Sequence, residues 1–87
     1  FGMYSGEAVA VTLLVKPEAI STVIDRFGDA ADAEAVEDGS MRVRAKVMQA
    51  PTFYGWLATL GTNVIIEQPQ FLKEEYRTYL QEIIEQY

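Results

Sequence analysis

The side chains that could do chemistry in this sequence are carboxylates, amines and guanidiniums. Histidine and cysteine are both absent from the 87 residues. Their absence removes the commonest general base, the usual nucleophile dyads and every ordinary zinc site. The six glycines are scattered singly, so the chain has no glycine-rich phosphate loop. We therefore expect no catalytic residue, no metal site and no cofactor, and we expect that the chain is not an enzyme.

Two groups of carboxylates are the remaining candidates for acid–base chemistry. The first lies near a predicted hairpin and the second on the last predicted helix: Glu34, Glu37 and Asp38, and Glu74, Glu75, Glu82 and Glu85. Paired carboxylates can act as acid and base when their surroundings separate their pKa values. The helix glutamates fall on its polar face and the hairpin group lies at a turn, so we interpret both as solvated surface. A stand-alone enzyme that uses these carboxylates is one hypothesis for function, and it ranks third.

Three cations share one predicted strand. Arg42, Arg44 and Lys46, here called the basic strip, alternate with apolar residues. Because successive residues of a strand point to opposite faces, the three cations project from the same side of the sheet. Beside them on the first predicted strand lie Ala10, Thr12 and Leu14, which are small enough to leave room for a ligand or another chain. The basic strip and Thr12 are therefore candidate contact residues.

The basic strip has several interpretations. It could dock an acidic partner, or it could form a narrow contact with a phosphate or nucleotide, which makes a small-ligand module the second hypothesis. The simplest alternative is a solvated sheet face balanced by Glu34 or Glu67. RNA recognition on such a sheet uses aromatic rings on the central strands, and these strands carry none. A net charge of −6 also argues against a dominant role in gripping phosphate backbones.

Glycine and proline divide the chain into elements. Alternating apolar residues predict strands, and apolar residues at i, i+3, i+4 and i+7 predict helices. The predicted elements are a strand at 8–16, a helix at 17–27, strands at 33–37 and 40–49, a helix at 51–60, a strand at 63–67 and a helix after Pro69. This order predicts an α+β, ferredoxin-like βαββαβ fold, an antiparallel four-stranded sheet with two helices on one face, plus a C-terminal helix. The first and third strands would be central, and the opposite face would stay open unless the last helix or a partner covers it.

The dipeptide Asp38-Gly39 predicts a two-residue hairpin turn, since both residues tolerate positive φ. This turn fixes the register of the two strands that it joins. The predicted pairs are Glu37 with Ser40, Val36 with Met41 and Ala35 with Arg42.

Aromatic residues concentrate in the last two predicted helices: Phe53, Tyr54, Trp56, Phe71, Tyr76, Tyr79 and Tyr87. We expect most of them to lie in the core. Tyr54 and Tyr87 are predicted to be the most exposed, because one lies off the apolar stripe and the other at the end of the chain. Exposed tyrosine and tryptophan are favoured interface anchors, so Tyr54 and Trp56 are partner-contact candidates.

A family resemblance covers the whole chain. Residues 1–7, read Phe-Gly-Met-Tyr-Ser-Gly-Glu, and the strand after them resemble the linker and first strand that follow a WYL domain. Further resemblances lie at Asp38-Gly39-Ser40, at Trp56-Leu57-x-x-Leu-Gly61, at Val64-Ile-Ile-Glu67-x-Pro69-x-x-Leu72, and in a helix that ends at Tyr87. In their order and spacing these segments resemble the C-terminal extension, or WCX domain, of WYL-domain transcriptional regulators of bacteria.

This resemblance implies the leading hypothesis for function. Residues 1–7 would be a linker from a removed upstream domain, and residues 8–87 a single WCX-type domain. The domain would regulate and dimerise a cytoplasmic regulator, packing against the WYL domain of its own or the partner chain in a homodimer. DNA would be bound only through an N-terminal helix-turn-helix that this chain lacks, and no contact with a membrane is expected.

Overall fold

The computed structural model describes residues 7–87. Most of the predicted linker at residues 1–7 lies outside this range. Short 3₁₀ turns at Pro17–Ala19, Gly28–Ala30 and Gly61–Asn63 accompany the longer elements. The strands and helices, in chain order, are β1 Ala8–Val15, α1 Ile20–Phe27, β2 Asp32–Ala35, β3 Met41–Met48, α2 Pro51–Thr59, β4 Val64–Gln68 and α3 Gln70–Ile84.

The four strands form one antiparallel sheet in the order β2-β3-β1-β4. The predicted α+β ferredoxin-like fold with a C-terminal helix is confirmed, and β1 and β3 are the central strands. Their pairing runs without interruption from Ala8 opposite Met48 to Val15 opposite Met41. Residues that face each other across these two strands therefore lie on the same face of the sheet.

The hydrophobic core lies on one face of the sheet. Alternate residues of β1, β3 and β4 point into it, because the side-chain period of a strand is two. The helices contribute Val23 from α1, Leu57 from α2 and Leu72 from α3, all fully buried. The other buried core members are Val11, Leu13, Val15, Ala19, Val43, Val47, Phe53, Tyr54, Val64 and Ile66. Each fully buried aliphatic side chain of this size contributes about 2 kcal/mol.

The C-terminal helix packs beside α2 rather than over the opposite face. Leu72 anchors it in the core, and the rings of Tyr76 and Tyr79 lie 5.7 and 5.6 Å from the ring of Tyr54 on α2. The first turns of α3 therefore pack against the core through Leu72, Tyr76 and Tyr79, while Ile83 and Ile84 near its end are 43% and 61% exposed. The second face of the sheet is left uncovered within residues 7–87.

The hairpin differs from its prediction. Ala35 lies opposite Met41 and Glu34 opposite Arg42, so the predicted register is wrong by one residue. The turn holds three residues, 37–39, instead of two. The Gly39 N–H donates to the Val36 carbonyl at 3.2 Å, and the Val36 N–H donates to the Ser40 carbonyl at 2.9 Å.

The reason for the shift is that only one residue of the turn has positive φ. Gly39 has φ of +86°, whereas Asp38 does not enter the left-handed region that a two-residue turn requires at both positions. The Asp38 carboxylate instead accepts a hydrogen bond from the Ser40 N–H at 3.1 Å, which lowers the pKa of Asp38. A one-residue slip exchanges the two faces of a strand. The observed register consequently places Glu34 on the uncovered face.

No helix among residues 7–87 is long and apolar enough to cross a membrane.

Candidate docking face on the open sheet

The uncovered side of the sheet, here called the open face, is formed by matched rows of residues across the strands. One row joins Glu34, Arg42, Leu14 and Ile65, and the next joins Asp32, Arg44, Thr12 and Gln68. A third pair is Ala10 with Lys46. The structure therefore brings the predicted candidates Thr12, Arg42, Arg44 and Lys46 together on one surface.

A β-bulge in β4 sets the position of the main carboxylate of the open face. Thr12 lies opposite Gln68, but Leu13 lies opposite Ile66, so Glu67 is an extra residue in this strand. The Glu67 side chain reaches across β1 to β3. There the Arg42 Nε donates to Glu67 Oε1 at 2.7 Å, and Arg42 Nη2 lies 3.4 Å from Glu67 Oε2. The two-point contact fixes the guanidinium plane.

A second carboxylate approaches the basic strip from the other edge of the sheet. Arg44 Nη2 donates to Glu34 Oε1 at 2.8 Å, and the same oxygen lies 3.8 Å from Arg42 Nη1. Hydrogen bonding to Glu67 raises the pKa of Arg42 and, reciprocally, lowers the pKa of Glu67. The chain of contacts from Glu34 to Glu67 links the two edge strands through the cations of β3.

An open groove follows β1 across this face. One part, of about 520 Å³, is lined by Thr12, Arg42, Arg44, Glu67, Gln68 and Lys73 together with isoleucines of β4. A second part, of about 360 Å³, lies along Ala10, Thr12, Arg44, Lys46 and Gln68. The two parts share Thr12, Arg44 and Gln68, so they lie side by side along β1. Ala10 and Thr12 are the small residues of β1 in their lining.

Apolar side chains stand at both ends of the groove. Met48, beside the start of β1, is 50% exposed, and Ile65, beside its end, is 51% exposed. Paired charges lie between them. The open face therefore combines exposed apolar groups at its two ends with charges in its middle that already form ion pairs.

The same contacts disfavour an anion site on the basic strip. The guanidiniums of Arg42 and Arg44 already donate to carboxylates, so a phosphate there would have to displace Glu67 or Glu34. The predicted balance by Glu34 or Glu67 is confirmed, and both residues take part. Lys46 forms no ion pair among residues 7–87.

The WCX domain family matches residues 7–84 of the chain. The chain belongs to the WCX domain family. The matched range includes all four strands of the sheet and the helices α1, α2 and α3. A search of curated proteins finds no match. The resemblance that the sequence motifs predict is thus confirmed for the domain itself.

In this WCX domain Tyr54 is buried, although the sequence predicts that it is exposed. It is fully buried, and its hydroxyl donates to Glu75 Oε1 at 2.6 Å. Gln49 Nε2 donates to the other carboxylate oxygen at 2.7 Å. The prediction of an exposed Tyr54 is wrong because α3 covers this side of α2. The prediction that Glu75 is merely solvated is wrong for the same reason, since its carboxylate joins α3 to α2 and to the end of β3.

Trp56 lies apart from the open face. Its ring meets the ring of Phe27 edge-on at 5.6 Å between centroids, and the guanidinium carbon of Arg26 lies 5.7 Å from each ring. Trp56 is half-buried against the core of the WCX domain. As a candidate for partner contact it therefore belongs to a different surface, at the corner of α1 and α2. Tyr87 is fully exposed, as predicted.

Two contributors to the open face escaped the sequence-based reasoning. Lys73, from the first turn of α3, lines the groove, and Gln68 faces Thr12. Both positions depend on the bulge in β4, which breaks the alternation that a sequence pattern can reveal. Within the described part of the chain no three acidic side chains gather closely enough to hold a metal ion.

Proposed function

We propose that this WCX domain is the C-terminal regulatory and dimerisation module of a bacterial transcriptional regulator. Its open face packs against a ligand-sensing WYL domain of the same or the partner subunit. Two observations support the proposal: the family match over residues 7–84, and a sheet face that no helix of the described chain covers. The uncovered face carries the proposal, because it supplies a surface whose apolar groups are not covered by any element of residues 7–87.

The ion pairs of the open face suit a docking role. Burying an unpaired guanidinium at an interface costs several kcal/mol, whereas a hydrogen-bonded pair enters with its donors already satisfied. Arg42 and Glu67 present such a pair at 2.7 Å. A partner that covers Ile65 and Met48 would therefore gain apolar contact without having to supply hydrogen-bond acceptors for Arg42 and Arg44.

In this proposal the chain contributes contacts and no chemical step. The sequence lacks histidine and cysteine, and the carboxylates Glu34, Glu67 and Glu75 accept hydrogen bonds from side chains of the domain. DNA would be held by a helix-turn-helix elsewhere in the regulator. A domain that crosses to the partner subunit also makes the regulator dimeric, which ties effector sensing in one subunit to the position of the other.

Light scattering on the longer regulator, with and without residues 7–87, tests this proposal. We expect a dimer with the domain and a monomer, or a much weaker dimer, without it. Ile65→Arg should weaken the dimer in the same way, while Ile84→Arg, an equally exposed position on α3, serves as the matched control and should leave it unchanged. An identical oligomeric state in all four proteins would contradict the proposal.

A further inference from the structure

A separate cavity lies at the corner where α1, α2 and the end of β3 meet. It has a volume of about 310 Å³, and its lining residues are Arg26, Phe27, Ala30, Lys46, Val47, Met48, Thr52 and Phe53. The cavity exists because β2 is short. β2 pairs with β3 only as far as Arg44, so the segment from Ala45 to Met48 has no strand on that side.

Arg26 is held at the mouth of this cavity by aromatic rings. Its guanidinium carbon lies 5.7 Å from the centroid of Phe27 and 5.7 Å from that of Trp56, and the two rings meet edge-on. Cation–π contact positions a guanidinium without using its N–H donors. No carboxylate forms an ion pair with Arg26 or Lys46 among residues 7–87. The corner thus differs from the open face, where Arg42 and Arg44 already have acceptors.

The other residues that line the cavity indicate which class of ligand it could bind. Phe27 and Met48 expose apolar surface in this lining, Val47 and Phe53 are buried beneath it, and Thr52 adds a hydroxyl. A guanidinium binds a carboxylate through two parallel hydrogen bonds, and a nearby ammonium adds a point charge. Inorganic phosphate would contact the cations but leave the apolar surface hydrated. A small organic acid with an apolar body would satisfy both parts.

We propose that this corner binds a small apolar carboxylate, with the carboxylate on Arg26 and Lys46 and the body against Phe27 and Met48. Lys46 and Met48 also lie on the open face, but binding to the isolated chain does not require that face to be a docking surface. The chain carries a net charge of −6, which repels anions at long range, so recognition rests on these short contacts. Because Arg26 and Lys46 are both exposed to solvent, we expect weak binding, with a Kd of about 1 mM.

Benzoate titrated into the 87-residue chain tests the proposal. Trp56 is the single tryptophan and contacts Arg26, so its fluorescence reports on the site directly. We expect a saturable change in Trp56 emission and a shift of the Arg26 Nε–H resonance. Benzamide, the neutral analogue, should bind at least about tenfold more weakly, and inorganic phosphate should also bind more weakly than benzoate.

Two variants separate the site from general charge effects. Arg26→Gln and Lys46→Gln should each weaken benzoate binding, the first by about tenfold or more. Arg77→Gln removes an exposed cation of α3 at a distance from the corner and should leave binding unchanged. Equal binding of benzamide, tighter binding of phosphate, or equal weakening by Arg77→Gln would each overturn the proposal. Circular dichroism of each variant confirms that the fold is retained.

Discussion

The helix-covered face of the sheet and the open face are built from alternate residues of the same strands, yet they hold together in different ways. On the covered face, Leu13 and Val43 are buried and packed by three helices. On the open face, Leu14 and Arg42 from the neighbouring positions lie in a row that contains ion pairs, and no element of residues 7–87 covers it. The difference separates what stabilises the domain from what is available to a partner.

The largest contrast is expected from truncating an apolar side chain on each side of the molecule. Leu57→Ala should reduce the free energy of unfolding by about 3 kcal/mol, because it removes a fully buried side chain from the core and leaves a cavity. Ile65→Ala on the open face should cost less than about 0.5 kcal/mol in the isolated chain. Urea denaturation followed by circular dichroism measures both. Equal losses would mean that the two faces contribute alike to stability.

The next effect concerns the contact that fixes α3 to α2. Tyr54→Phe should reduce stability by about 1.5 kcal/mol, because Glu75 loses the hydroxyl that donates to it at 2.6 Å. Tyr87→Phe, which alters a fully exposed ring in the same way, is the control and should change stability by no more than about 0.5 kcal/mol. Thermal unfolding distinguishes the two. A neutral Tyr54→Phe would contradict the role given to this hydrogen bond.

A third prediction tests the turn that places Glu34 on the open face. Gly39→Ala should destabilise the chain by about 1 kcal/mol, since φ of +86° is strained for any residue with a β-carbon. Gly55→Ala, inside α2, should instead stabilise it by about 0.5 kcal/mol because alanine favours helix and a β-carbon there meets only Tyr79 Oη at 3.6 Å. Denaturation midpoints should therefore move in opposite directions. Midpoints that move together would refute this account of the turn.

The smallest effect is the pH dependence of the Arg42–Glu67 pair. The pKa of Glu67 is lower in the folded chain because Arg42 donates to its carboxylate, so the pair stabilises the fold above the ordinary glutamate pKa. That contribution is lost as the pH falls below the ordinary glutamate pKa and through the lower pKa of the folded chain. Glu67→Gln and Arg42→Gln should each flatten this part of the stability curve. Thermal melts across the range measure it, and an unchanged slope in both variants would exclude the pair as a contributor.

The covered face could be predicted from the sequence almost completely, whereas the open face could be predicted only in part. Period-two alternation places Val43 and Val47 in the core, and burial enforces that pattern. The basic strip follows from the same alternation. The sequence also names Glu34 and Glu67 as balancing charges, but not their geometry, because Glu67 reaches Arg42 through a bulge and Glu34 reaches Arg44 through a three-residue turn. Both features insert a single residue, which a hydrophobic pattern does not record.

The burial of Tyr54 is likewise a feature that the hydrophobic pattern of α3 cannot predict. Periodicity predicts that α3 has an apolar stripe, but not which element receives it. Because the stripe packs on α2, Tyr54 is buried and α3 leaves the open face uncovered. The position of one helix therefore decides which surface remains for a partner.

Methyl NMR tests most directly whether the open face is the docking surface. The isolated WYL domain of the regulator is titrated into the 87-residue chain while methyl resonances of both faces are followed. We predict shifts or broadening at Met48, Ile65 and Leu14, with Leu57 and Val23 of the core unaffected. Perturbations confined to the outer surfaces of α1 and α2, or no perturbation at saturating WYL domain, would contradict the account.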